Sequence, residues 1–146
     1  MKEINIIIIL LLSGLLVTAQ KKDNILIGSW KIVKLVSTDI HNPLTKEESK
    51  EGLGDVIIFK NDEIIIPKGK YASKSCSYPN YQFKVVNAMK YFENARWYLK
   101  LIGCKTKNIQ IAETSCGVLF SNIKITNRNL IVIGMDNITI FLKKMK

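Results

Sequence analysis

Histidine is nearly missing from this chain. Among its 146 residues there is one, His41. A Ser–His or Cys–His mechanism needs an imidazole base beside its nucleophile. His41 stands in a polar stretch, and no Gly-x-Ser-x-Gly elbow accompanies it. Cysteine is sparse as well: Cys76, Cys104 and Cys116, with no Cys-x-x-Cys pair. A structural zinc site takes four Cys or His ligands, so no metal is expected. Glycine never clusters into a loop that could cradle phosphate. Asp55, Glu63, Glu93 and Glu113 show no spacing that marks an acid–base pair. With these chemistries removed, the chain reads as a non-enzyme that needs no cofactor.

Arginine is scarce too. Lys and Arg number 22 against 12 Asp and Glu, a net charge of +10, yet only Arg96 and Arg128 are arginine. Specific recognition of phosphates and bases draws on the Arg fork. The lysines are scattered, with their densest groups at Lys68, Lys70 and Lys74 and at Lys143, Lys144 and Lys146. No specific nucleic acid partner is expected. A solvated lysine surface is, and an anionic polymer is the partner such a surface could take.

What is present begins with a short charged start, Met1 to Asn5, followed by an apolar run from Ile6 to Val17. The run is shorter than the roughly 20 residues that span a bilayer. With Val17-Thr18-Ala19 supplying compact residues before the break, residues 1–19 read as a signal peptide cleaved ahead of Gln20. No cysteine lies there to carry a lipid, and no transmembrane anchor is expected after cleavage. The expected product is exported, periplasmic or extracellular, with residues 20–146 forming one domain. The leader carries one Lys and one Glu, so the remainder keeps the +10 charge.

That domain reads as all-β and antiparallel. Short runs rich in Ile, Val, Phe, Tyr and Trp alternate with Gly, Asn, Asp and Lys, the pattern of many short strands. Nine are expected, over residues 27–37, 55–60, 63–67, 81–87, 96–102, 108–114, 118–126, 129–134 and 138–144. Asn61-Asp62, Lys105-Thr106-Lys107 and Thr126 to Asn129 read as tight connections. Period-two alternation assigns faces. Trp97, Leu99 and Leu101 share one, as do Tyr81, Phe83 and Val85, and Ile109 and Ile111. Glu113 falls on the Ile109 face, where it either points inward toward a ligand or is solvated at the strand's end. Thr45 and Glu48 form a capping-box pattern, predicting a helical turn in the polar segment before Asp55.

Leu26-Ile27-Gly28-Ser29-Trp30 places a Gly-x-Trp opening on the first strand, and residues 129–144 form a closing hairpin with a basic end. In these features the domain resembles the lipocalin-like domains of exported bacterial proteins. The resemblance implies an up-and-down barrel of eight or nine strands, with Gly28 and Trp30 at its floor and Lys143 or Lys144 across the Trp ring. It implies a protein that binds a small apolar or amphipathic ligand. The candidate lining residues are Tyr81, Phe83, Val85, Trp97, Leu99, Leu101, Ile109 and Ile111. A barrel of this size either encloses one small ligand or is filled by its own side chains. The second state suits an interaction protein that binds another envelope protein or an anionic polymer through loops and basic surface. Tyr71, Tyr78 and Tyr81, interleaved with lysines, are the residues that could make such contacts.

Strand direction predicts the disulfide. If residues 96–102 run antiparallel both to 81–87 and to 108–114, Cys76 and Cys104 lie at one end and Cys116 at the other, about 20 Å away at ~3.3 Å per residue. Cys76–Cys104 is then the expected bond and Cys116 a free thiol.

Overall fold

A computed structural model describes residues 24–39, 41–135 and 137–146. The expected signal peptide lies outside the described residues. Among the described residues nine antiparallel strands form one sheet. They are β1 (Gly28–Ser37), β2 (Val56–Phe59), β3 (Glu63–Ile65), β4 (Cys76–Ser77), β5 (Gln82–Asn87), β6 (Asn108–Glu113), β7 (Asn122–Asn127), β8 (Leu130–Met135) and β9 (Ile138–Lys144). Their order across the sheet is β4-β3-β2-β1-β9-β8-β7-β6-β5. The helices α1 (Ala88–Tyr91), α2 (Arg96–Leu101) and α3 (Gly117–Phe120) are each short. Among the described residues no helix is long and apolar enough to cross a membrane.

Two expected strands are corrected. Residues 96–102 form α2 and its C-cap, and residues 118–126 divide into the end of α3 and most of β7. A stretch this short fits either period. Leu99 and Ile102, three apart, share the buried side of a helix, while Trp97 turns to solvent. The choice is made by what lies underneath. Ile109, Ile111, Val132 and Phe141 give the sheet a second apolar face, and α1 and α2 cover it. Glu93 and Asn94 adopt positive φ (49° and 63°) and turn the chain between the two helices. Thr45 and Glu48 do cap each other, by Thr45 N–H to Glu48 Oε2 (2.8 Å) and Glu48 N–H to Thr45 Oγ1 (3.1 Å), but the segment remains a run of turns.

The sheet curls tightly. β4 and β6 are first and eighth in its order. On a flat sheet they would lie about 34 Å apart at ~4.8 Å per strand. Instead Cys76 of β4 is disulfide-bonded to Cys116, just beyond β6, with their Cα atoms 5.8 Å apart. The Phe59 and Phe120 rings meet edge-on at 5.9 Å. The Tyr81 hydroxyl donates to Lys60 O (2.9 Å). Ser115 donates through its amide to Pro79 O and through Oγ to Tyr78 O, both at 2.9 Å. β4 and β5 do not pair, so the sheet stays open at a seam that the disulfide bridges.

The bond is therefore Cys76–Cys116, with Cys104 free, and the expected Cys76–Cys104 pairing is wrong. The cause is one strand too many. With 96–102 helical, β5 pairs directly with β6, Gln82 opposite Glu113. The chain before β5 and the chain after β6 then share one end of the sheet.

Inside the curl the space is filled. Trp30, Ile32, Ile57, Phe59, Ile64, Phe120, Ile123, Ile131, Ile133, Ile140 and Leu142 are essentially inaccessible to solvent. A bulge between Ile32 and Lys34 resets the alternation of β1, so that Leu35 also faces inward.

Candidate functional site: a groove on the outer face

At the Gly-x-Trp end the cation beside the ring is Lys144. Gly28 has φ +126°, and a Cβ there would stand 3.3 Å from Lys144 Cε. Lys144 Nζ lies 5.3 Å from the Trp30 ring centroid and donates to Ile25 O (3.0 Å). Trp30 Nε1 donates to Leu26 O at 2.7 Å. Lys143 points to solvent. This end is structural.

The eight candidate lining residues do not share a cavity. Phe83 on edge strand β5 and Tyr81 just before it, stacked at 6.3 Å, pack on the inner core. Val85 is 69% exposed. Leu99, Ile109 and Ile111 are buried in the outer layer, with Leu101 at its margin. Of the eight, Trp97, Leu99 and Leu101 line open depressions. Glu113, the last residue of β6, is on the outer face, partly exposed and ion-paired with Lys84, so it does not point inward. The tyrosines among the lysines disperse as well. Tyr71 is buried, Tyr81 is bonded to Lys60 O, and Tyr78 alone projects. His41 is exposed in the loop after β1, its amide donating to Asp39 Oδ1 (2.8 Å).

The candidate site is a groove where the helices leave part of the outer face uncovered. Its volume is about 470 Å³, and a second depression of about 520 Å³ shares Thr38 and Trp97 with it. One wall is aromatic. Tyr91 meets Phe92 edge-on at 4.9 Å, Phe92 meets Tyr98 at 5.1 Å, and Tyr98 meets Trp97 at 5.6 Å. Trp97 closes this chain of rings while 58% exposed. The Tyr91 hydroxyl is within 3.2 Å of Asn122 Oδ1, which fixes α1 over β7. The floor comes from the sheet, with Asn122 and Lys124 on β7, Gly134 on β8 and Thr139 on β9. Burial drives the Lys124 ammonium below the usual lysine range and the Tyr98 hydroxyl above the usual tyrosine range. The groove therefore pairs a broad apolar wall with a small polar floor, a composition that suits small-molecule binding.

Sequence reasoning missed Tyr91, Phe92, Tyr98 and Lys124. Ile123 and Ile125 alternate with Lys124, which marks the lysine as lying on the face opposite the core. Nothing local signals that helices from elsewhere in the chain would wall in that face.

No protein-family model, curated protein or solved structure matches this chain, so the site is defined by its own geometry.

Proposed function

We propose that this chain is an exported lipocalin-like binding protein, and that it holds a small amphipathic molecule in the outer groove without transforming it. The lipocalin-like reading draws support from the curled antiparallel sheet and from the Gly28, Trp30 and Lys144 contacts. The ligand reading is carried by one observation, the half-exposed Trp97 at the end of a continuous aromatic wall above an open groove. A tryptophan that large and that wet, beside other rings and a polar floor, provides a contact surface at little entropic cost. The filled interior favours the groove over the inside of the curl as the place of binding.

Native mass spectrometry of protein purified from its own host's envelope tests this. The expected spectrum shows a polypeptide beginning at Gln20 and carrying a bound small molecule, which Trp97→Ala loses. A bare mass from the wild type, or a ligand retained unchanged by Trp97→Ala, would overturn the reading. A retained Met1 would overturn the export.

A further inference from the structure

Resting on that groove as the binding site, we infer that Lys124 is its anion anchor and that the ligand is an amphipathic anion. The acidic head sits at the Lys124 ammonium and the apolar body lies along Tyr91, Phe92, Tyr98 and Trp97.

The position of Lys124 is unusual for a lysine. One row of paired residues crosses the outer face, from Lys84 on β5 through Ile111, Lys124, Val132 and Phe141 to Lys34 on β1. Its two end lysines have company, Lys84 in an ion pair with Glu113 and Lys34 over the Phe141 ring at 5.3 Å. Lys124 lies in the middle of the row, flanked by Ile111 and Val132. Surface lysines ordinarily run their stems along apolar surface and keep the ammonium in water. This one opens into the groove, where a Cβ at Gly134 would stand 3.7 Å from its Nζ. Gly134 thus leaves room beside the ammonium that any larger residue would take.

Among the described residues Lys124 takes part in no ion pair. Glu113, the acid on the same face of the neighbouring strand, is occupied by Lys84. A cation partly desolvated between Ile111 and Val132 is costly, and an anion entering the groove would restore the lost stabilisation. The groups around it, Asn122 and Thr139 together with Ser121 and Thr38, can orient the oxygens of an acid but carry no charge of their own. A neutral apolar ligand would leave the ammonium buried under it.

Two fluorescent probes with the same aromatic body separate these ideas. One is 1-anilinonaphthalene-8-sulfonate; the other is N-phenyl-1-naphthylamine, which lacks the sulfonate. Titration into the full mature chain should show the anion bound more tightly. Lys124→Met should weaken the sulfonate on the order of tenfold, as for loss of a charged hydrogen-bonding partner. It should leave the amine within about twofold, and so should Lys143→Met, at a solvent-facing lysine outside the groove, for both probes. Lys124→Gln, which keeps polarity without charge, should behave as Lys124→Met does. Should Trp97→Ala weaken both probes while neither Lys124 variant discriminates between them, the anion inference fails and the groove survives. Binding of both probes unchanged by Trp97→Ala, or no binding by the wild type, overturns the groove and the inference together.

Discussion

Replacing Cys76 and Cys116 together by alanine, in a Cys104→Ser background that prevents exchange, removes the covalent tie across the seam between β4 and β5. The bonded residues are 40 apart in sequence. A chain-entropy treatment of a loop that long gives about 4 kcal/mol of stabilisation, through restriction of the unfolded chain. Alanine is the right replacement because Cys116 is 3% exposed, and a serine there would add an unpaired hydroxyl to the core. Against a typical domain stability of about 5–15 kcal/mol, the loss is a large fraction. The melting temperature should fall by roughly 10–25 °C for a domain of this size. Urea titration of the oxidised protein and of the double variant, followed by tryptophan fluorescence, measures the difference directly. Hydrogen exchange then locates it. Amides of β4 and β5 and of Ser115 should exchange faster, while the β1·β9 pairing in the middle of the sheet should keep its relative protection. An unchanged urea midpoint would refute the view that the sheet is open and clasped there. A peptide map linking Cys104 to either of the other cysteines would refute the strand parity itself.

Two further outcomes are expected. Trp30→Ala should cost about 3–5 kcal/mol, the range for removing a large buried aromatic, and calorimetry of the variant checks it; a wild-type melting curve would show that Trp30 does not hold the floor. Alkali should destabilise the fold in part through Tyr71 and Tyr81, whose hydroxyls burial holds above the usual tyrosine range. Below pH about 10 both are protonated in either state and their contribution is intact. As the pH climbs further the unfolded chain ionises first, so stability falls until the folded hydroxyls ionise too. Tyr81→Phe, which also loses the bond to Lys60 O, should lower the urea midpoint at pH 8 yet show a shallower decline between pH 9 and 11. A decline as steep as the wild type's would remove Tyr81 from the account.

Where interactions are local, they were legible from the chain alone. Short runs rich in β-branched and aromatic residues located seven of the nine expected strands, because such side chains suit a pleated, half-buried surface whatever the partner strand is. Thr45 and Glu48 found each other across three residues. Gly28 and Trp30 were singled out by the resemblance, which left Lys143 and Lys144 as alternatives until the β1·β9 register set Lys144 opposite Trp30. Only the tertiary structure decided the rest. Residues 96–102 carry a pattern that either period satisfies, and they became helix because the outer face of β6, β8 and β9 needed an apolar cover. That one choice changed the parity of the strands after it, moved the disulfide from Cys104 to Cys116, and placed Trp97 and Tyr98 above Lys124. A lysine that alternation alone assigns to water thereby came to stand in a groove, since its surroundings are made by residues some 30 positions away in the chain.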